Sequence, residues 1–219
     1  MEQAVQAGYG IKSETGSAVL ELSMQVIRFS GFGTEYASYP HAVTQNAESV
    51  SDVTSWVYEK YKFGGFDFIA GHSMGGIIAL ELLVNYGLEA KNVILIDSNL
   101  RPAKEFYRNL MLPHNMEKYG RQVLDMIKGE SRFYSEALKR SLHTDFDYTG
   151  YIKSISCNIF GIYGDRGVEL YDRRIDDLCL DDDIQKRIGF RFIRNACHLP
   201  MIENSVMLIE VIKECLGVE

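Results

Sequence analysis

The sequence predicts an α/β protein with a mainly parallel central sheet, helices on both faces and a helical insertion. Apolar segments with the length and β-branched content of buried strands alternate along the chain with segments of helical periodicity. Such alternation is typical of a parallel sheet that is covered on both faces. Beyond residue 100 helical, aromatic-rich segments replace the strands. We therefore predict a single domain over residues 1–219, with a core of residues 1–99 and 152–219 and a helical lid of residues 100–151.

Composition limits the classes of protein that the chain can represent. Its 219 residues are 46% hydrophobic, which suits one globular domain with a sizeable core. The net charge of −7 argues against a nucleic-acid partner. No apolar run approaches the roughly 20 residues that span a bilayer, and the first residues lack the features of a signal peptide. The four cysteines have no C-x-x-C spacing, so we expect no metal site and reduced thiols in a cytoplasmic protein.

The first quarter of the chain predicts two strands and two helices. A short strand precedes a tight glycine loop at residues 7–10, and a helix is predicted for residues 15–22. The alternation over residues 25–29 favours a strand, which residues 30–34 end. Apolar residues then recur at spacings of three and four over residues 46–61, as expected for one buried stripe of a helix.

Residues 66–81 carry the strongest functional pattern. Gly71-His72-Ser73-Met74-Gly75 fits G-x-S-x-G and lies between an apolar strand and a helix-periodic segment. In this strand–turn–helix context the motif forms a nucleophile elbow, where glycines two residues from the serine let strand and helix pass closely. Ser73 is therefore the predicted nucleophile. The Met74 backbone N–H, at the helix N-terminus, is a predicted oxyanion donor.

The remaining core contributes three strands and a closing helix. The strands are predicted at residues 92–96, 158–163 and 190–193. A turn at residues 164–167 follows the second of them, and a loop at residues 195–201 follows the third. The closing amphipathic helix has Val206 as its first apolar position.

A serine hydroxyl needs a neighbouring base, and five histidines are available. Three lie on predicted loops or in the insertion: His41, His114 and His143. His72 precedes the serine on the strained turn, so we expect its side chain to pack elsewhere. His198 follows the last strand, where the chain order Ser, acid, His puts the base. Cys197 beside it is an alternative nucleophile that we disfavour, because adjacent side chains usually point apart.

Two aspartates can serve as the acid that orients the base. Asp97 ends the strand directly after the elbow helix, and Asp165 ends the next strand. Both therefore lie on the carboxyl edge of the sheet, where ligands bind in open α/β sheets. A helix cap at Asp97 and a turn residue at Asp165 are the structural alternatives.

These segments resemble the α/β-hydrolase superfamily. The resemblance is carried by residues 71–76, by Asp97 and by residues 195–203. The chain is most similar to the thioesterase domains of nonribosomal peptide and polyketide synthetases. The order from elbow to following strand, the glycine loop at residues 7–10 and the helical insertion all match that group. The resemblance implies an α/β-hydrolase fold with a lid.

The same resemblance assigns roles to individual residues. In those thioesterases the acid commonly follows the strand after the elbow, which implies Asp97. Many other members place it after the next strand, about three residues beyond a glycine, where this chain has Gly167. We therefore prefer Asp97 to Asp165. A second oxyanion donor is implied at Gln6 or Ala7. The chain lacks the family's His-Gly pair there, which leaves the loop at residues 30–34 as an alternative.

The resemblance implies a serine thioesterase that releases an acyl or peptidyl chain from a phosphopantetheinyl carrier protein, by hydrolysis or cyclisation. No cofactor or metal is implied, and the partners are the carrier protein and a small acyl substrate. Carrier proteins are acidic, so a docking patch would be basic, as at Arg101, Lys104 and Arg108. A stand-alone carboxylesterase or lipase-like hydrolase is the alternative. A non-catalytic binding protein with a hydrolase fold is a further one.

Overall fold

A computed structural model describes residues 3–7, 33–37, 39–62, 66–104, 108–143, 146–168 and 171–217 of the chain. The strands are β1 Gln3–Ala7, β2 Gly33–Ala37, β3 Phe66–His72, β4 Ala90–Ile96, β5 Asn158–Gly164 and β6 Ile188–Ile193. The helices are α1 His41–Asn46, α2 Val50–Tyr61, α3 Met74–Val84, α4 Pro113–Ser131, α5 Glu136–His143, α6 Thr149–Ser154, α7 Asp182–Gln185, α8 Pro200–Glu203 and α9 Ser205–Leu216. A 3-10 helix spans Tyr171–Leu178.

The six strands form one parallel sheet in the order β2-β1-β3-β4-β5-β6. In this register Ala7 pairs with Gly71, and His72 pairs with Ile96. The carboxyl ends of the strands therefore meet at one edge of the sheet, as the sequence predicts. Every segment that leaves this edge can contribute to one site.

Both faces of the sheet are covered, which explains the continuous apolar runs of its central strands. In β4, Val93 and Leu95 lie in a core cluster with α2 and α3, whereas Ile94 and Ile96 lie in a second cluster with α9. All four side chains are fully buried. The predicted parallel α/β architecture with helices on both faces is confirmed.

The helix predicted over residues 46–61 is α2 in the structure, which starts four residues later, and the shorter α1 before it was not predicted. α1 ends at Asn46 and α2 begins at Val50, after Ser49. Ser49 and Asp52 form a capping box, because the Asp52 carboxylate accepts the Ser49 backbone N–H at 3.0 Å. The capping pattern Ser-x-x-Asp, rather than the apolar spacing, sets this boundary.

Three helices, α4, α5 and α6, lie between β4 and β5; α4 and α5 lie within the segment predicted as a lid, whereas α6 crosses its predicted end at residue 151. The longest, α4, has Pro113 in its first turn, where the missing N–H of proline costs no helical hydrogen bond. None of the helices in the described part of the chain has the length and apolar character of a membrane span.

Several sequence-based boundaries differ from the structure. Gly33 and Thr34, expected to end a strand, instead begin β2. Pro200 and Met201, expected in a loop, begin α8, which proline at its first position favours. Val206 is 67% exposed and not part of the buried stripe of α9. The helix predicted at residues 15–22 and the strand predicted at residues 25–29 lie outside the described residues.

The close approach of β3 and α3 predicts a steep cost for any side chain at Gly71. A Cβ there would lie 2.1 Å from the Gly75 carbonyl oxygen, and backbone atoms cannot move aside as a flexible side chain can. Gly71→Ala should lower the free energy of unfolding, measured by urea denaturation, by about 3 kcal/mol, the upper range for overpacking.

Gly150→Ala is the matched control, because a Cβ at this exposed position of α6 would meet no atom within 4 Å. Its free energy of unfolding should stay equal or rise by up to about 1 kcal/mol, since alanine favours helices over glycine. Equal stability of the two variants would contradict the close-approach argument.

Candidate active site

Ser73 lies at the junction of β3 and α3 in a strained backbone conformation. Its φ of 54° and ψ of −122° are rarely adopted by residues other than glycine. The turn is held on both sides, because the Ser73 N–H donates to the Ile96 carbonyl and the Gly76 N–H donates to the Ser73 carbonyl. A Cβ on Gly76 would collide with Ser98 at 2.1 Å, so this second glycine is also required. The geometry is that of the predicted elbow.

The N-terminus of α3 follows Ser73 directly. Met74 is the first residue of this 11-residue helix, so its backbone N–H belongs to the first turn, where no intrahelical acceptor is available. The helix dipole adds partial positive charge at this end. Met74 also lines the same cavity as Ser73. The position suits a group that stabilises an oxyanion beside the serine.

The second predicted oxyanion donor is described only in part. Ala7 is the last residue of β1 and pairs with Gly71 on the neighbouring strand, so β1 ends beside the elbow strand. The glycine loop that follows Ala7 is outside the described residues, and the roles predicted for Ala7 and Gln6 stay predictions. In the alternative loop, Gly33 and Thr34 pair with the amino end of β1, at the opposite edge from Ser73.

The structure brings Asp97 and His198 together. Nδ1 of His198 lies 3.1 Å from Oδ1 of Asp97, although the two residues are 101 positions apart in the chain. Asp165 is engaged elsewhere, because its Oδ1 accepts the backbone N–H groups of Gly167 at 2.8 Å and Asn195 at 2.7 Å. Asp165 therefore occupies the turn-residue position that the sequence left as its alternative role.

Arg166 is the second partner of Asp97, and no sequence pattern predicts this contact. Its Nη1 and Nη2 donate to Oδ2 and Oδ1 of Asp97, each at 2.8 Å, and both side chains are buried. Burial raises the pKa of Asp97, but the guanidinium charge and the hydrogen bonds from His198 and Arg166 outweigh it and hold the pKa below its usual range. Asp97 is therefore an ionised carboxylate at neutral pH.

His72, the last residue of β3, is buried and connects this strand to the loop that carries His198. Its Nε2 lies 2.7 Å from the backbone carbonyl oxygen of His198. A carbonyl only accepts, so Nε2 carries the proton and donates. Burial, together with repulsion from His198, lowers the pKa of His72 to about 3. His72 is therefore a neutral hydrogen-bond donor that ties the elbow strand to the loop of His198.

Glu203 fastens the loop of His198 to the insertion, and sequence reasoning missed this role too. Its carboxylate accepts the backbone N–H of Cys197 at 2.5 Å, the backbone N–H of Leu112 at 2.7 Å and the side-chain amide of Asn115 at 2.9 Å. The sequence offers one weak signal for this role: Glu203 lies three residues after Pro200, a proline that starts a helix. The start of α4 and the His198 loop are thus joined through one side chain.

Cys197 does not have the properties of a nucleophile. It is buried, and burial, with the nearby Glu203 carboxylate adding to the effect, raises the pKa of its thiol to about 12. A reactive cysteine needs a lowered pKa and access to substrate. The four cysteines all lie in the described residues and are free thiols. Within the same residues, no group of three or more His, Cys, Asp or Glu side chains is placed to bind a metal ion.

Two cavities meet at Ser73 and His198. One of about 190 Å³ is lined by both residues and by insertion side chains, which include Ser141, Phe146 and Tyr148. The other, of about 300 Å³, has a mainly apolar wall from Leu110, Met126, Ile127, Tyr134, Leu142 and Leu199. A larger cleft of about 620 Å³ opens at the amino ends of β3 and β4, at the opposite edge of the sheet. The two smaller cavities, and not this cleft, therefore adjoin the predicted catalytic residues.

The other histidines lie in the insertion or before α2. His41 stacks on Phe133 and lies 3.4 Å from Glu130, and His114 is exposed on α4. His143 lines both cavities at Ser73. Of the five histidines, His198 is the one that contacts Asp97 in the described part of the chain.

Two of the three basic residues predicted for docking are paired with the chain's own carboxylates. Arg101 contacts Asp147 at 2.9 Å and Asp181 at 3.1 Å. Lys104 contacts Asp177 at 2.9 Å. These carboxylates neutralise much of the local positive charge that a docking patch for an acidic partner requires.

Comparison with known proteins identifies the fold. No protein-family model matches the sequence, and no curated protein is similar to it in sequence. The structure is similar to a bromoperoxidase from Bacillus anthracis (TM-score 0.67, 12% identity, 99% of this chain and 92% of that chain). It is also similar to E-2-(acetamidomethylene)succinate hydrolase (0.63, 13%, 99% and 91%) and to a carboxylesterase from Bacillus subtilis (0.58, 14%, 100% and 85%). The chain therefore has the α/β-hydrolase fold, as predicted; the thioesterase subgroup is not identified.

The low pKa of His72 predicts a pH-dependent contribution to stability. The pKa falls from about 6.5 in the unfolded chain to about 3 in the folded protein. Between these values the unfolded state binds one more proton, so folded stability decreases as pH decreases. From pH 7.5 to pH 5 this contribution to the free energy of unfolding should decrease by about 2 kcal/mol. His72→Gln keeps a donor for the His198 carbonyl but does not titrate, so urea denaturation should show this decrease only in the wild type.

His114→Gln, on the exposed surface of α4, is the control and should keep the wild-type pH dependence. The proposed state of His72 is wrong if His72→Gln and wild type lose the same stability between the two pH values.

Proposed function

We propose that this chain, with its α/β-hydrolase fold, is a serine hydrolase that cleaves a carboxylic ester or thioester through an acyl-Ser73 intermediate. The observation that carries the proposal is the hydrogen bond between His198 and a buried, ionised Asp97 beside the cavities that Ser73 lines. Nucleophile, base and acid come from three segments that are far apart in sequence, which makes a chance arrangement of these three residue types a poor explanation.

The proposed reaction begins with attack of the Ser73 hydroxyl oxygen on the substrate carbonyl. Nε2 of His198 takes the hydroxyl proton, while Nδ1–H donates to Asp97. The Met74 N–H, with a second donor predicted at Gln6 or Ala7, stabilises the oxyanion. His198 then gives its proton to the departing alcohol or thiol, which leaves the acyl group on Ser73. A water molecule, deprotonated by His198, then attacks the acyl carbon. The bond to Ser73 Oγ breaks, His198 returns the proton to this oxygen, and the carboxylic acid leaves.

Among the possible substrates we favour simple carboxylic esters. The similar structures include a carboxylesterase, and the mainly apolar 300 Å³ cavity suits an acyl group of modest size. The ion pairs of Arg101 and Lys104 with the chain's own acids also argue against a basic docking patch for a carrier protein.

A carrier-protein thioesterase is the second candidate. It is favoured by the position of Asp97 directly after the strand that follows the elbow, the place implied by the resemblance to thioesterase domains. The proposed chemistry is the same for both candidates, because an ester and a thioester pass through the same acyl-serine. They differ in the leaving group and in the partner that presents it.

Loss of the Ser73 hydroxyl should abolish turnover. Ser73→Ala is expected to reduce kcat for p-nitrophenyl butyrate by at least about 10³-fold, as for other serine nucleophiles. A fluorophosphonate probe should add one label to the wild type and none to this variant, as measured by intact mass. Ser141→Ala, which changes a serine on the wall of the same cavity, is the control and should keep the label. An unlabelled wild type, or a labelled Ser73→Ala, would exclude the proposed nucleophile.

The two candidate substrates are separated by their specificity constants. We expect kcat/KM for p-nitrophenyl butyrate to exceed that for butyryl-pantetheine and for a butyryl-loaded carrier protein by at least about tenfold, a difference that one set of leaving-group contacts can supply. A higher kcat/KM on the loaded carrier than on the free pantetheine thioester would instead establish recognition of the carrier protein.

A further inference from the structure

The turn after β5 directs a buried arginine at the proposed acid. Arg166 has a φ of 55°, and its backbone N–H donates to the Ala196 carbonyl at 2.9 Å. Its Nη1 also donates to the carbonyl of Gly164 at 2.7 Å. The Arg166 side chain is 1% exposed. Backbone and guanidinium are therefore both fixed, which is unusual for a long charged side chain.

Asp97 is shared between Arg166 and His198. Oδ1 accepts from Nη2 of Arg166 and is 3.1 Å from Nδ1 of His198, whereas Oδ2 accepts from Nη1 and from the backbone N–H of Gly164 at 3.2 Å. A carboxylate offers about four acceptor sites, so these four donors fill it. The carboxylate cannot rotate without breaking the bidentate pair, which fixes the oxygen that faces His198.

The guanidinium also changes the net charge of the groups next to His198. An arginine stays protonated at any pH at which the protein is folded. An unpaired Asp97 would stabilise a protonated imidazole at 3.1 Å strongly, but the charge of Arg166 offsets much of that attraction.

We propose that Arg166 is a positioning residue of this site: it fixes the Asp97 carboxylate toward His198 and offsets the negative charge of that carboxylate. The proposal rests on the proposed hydrolase function for its effect on rate, but its effect on His198 does not depend on activity. Other charged or titratable groups around His198 in the described residues are His72, Glu130, Tyr134, Lys139, His143, Tyr148, Cys197 and Glu203. All of them stay unchanged in the variants below.

Two substitutions separate the charge of Arg166 from its forked geometry. Arg166→Gln removes the charge, and Arg166→Lys keeps the charge but loses the bidentate contact. Arg121→Gln, exposed on α4, removes the same charge from a residue outside the described contacts of Asp97 and is the control. Each variant is compared with wild type in the pH dependence of kcat/KM for p-nitrophenyl butyrate and in an NMR titration of the histidine ring signals.

In Arg166→Gln the acidic limb of the rate profile and the protonation of His198 should both move to higher pH by about 1 unit, the usual effect of one nearby charge. In Arg166→Lys the limb should stay close to wild type, while kcat falls by up to about 10²-fold, the loss that a displacement of about 1 Å at a catalytic group can cause. Arg121→Gln should change neither quantity.

Unchanged protonation of His198 in folded Arg166→Gln would overturn the proposed effect of charge. Loss of the cation from a buried pair also destabilises the fold. If Arg166→Gln does not fold, Arg166→Lys decides: wild-type kcat in that variant would reduce Arg166 to a structural role and overturn the proposal. If the wild type cleaves no ester or thioester, the proposed function fails, whereas the NMR titration still tests the effect of Arg166.

Discussion

The contact between β3 and α3 is the constraint on which the rest of the molecule depends. Gly71 and Gly75 pass so closely that no side chain fits between them, and Ser73 is held at a positive φ by this contact. The cost of the strained conformation is met by burial, because every α3 residue from Met74 to Leu82 is buried. The helix is thereby anchored on the sheet with its N-terminus beside the serine. A shift of either element would move Ser73, the predicted nucleophile, and the predicted oxyanion donor Met74 together.

Local patterns were sufficient to predict this part of the structure. Strand, turn and helix follow one another within residues 66–84, so the G-x-S-x-G spacing indicates the geometry from residues that are close in the chain. The apolar run of β4 likewise identifies a strand buried on both faces. Boundaries were less predictable, because hydrogen bonds rather than apolar periodicity set them. Ser49 and Asp52 separate α1 from α2, and Pro200 starts α8 at a point where the sequence suggested a loop.

Partners that are distant in sequence could not be predicted in the same way. Asp97 and Asp165 both end strands at the same edge, and only three-dimensional packing shows that one faces His198 while the other satisfies backbone N–H groups of a turn. The sequence preference for Asp97 relied on a family resemblance. Arg166, in the turn Gly164-Asp165-Arg166-Gly167, reads as an ordinary exposed turn residue in sequence. Its burial depends on a contact across 69 positions of the chain.

These buried groups give the site a balanced charge before substrate binds. Arg166 and Asp97 compensate each other, and His72 is neutral. In the proposed reaction two new charges then arise together, an imidazolium at His198 and an oxyanion near Met74. Their mutual attraction is stronger beside the protein interior than it would be in bulk water. A carboxylate without a compensating cation would stabilise the imidazolium before the reaction as well as during it. The stabilisation of the reacting state relative to the resting state would then be smaller. The Arg166 pair therefore reserves the electrostatic stabilisation for the step in which both charges form.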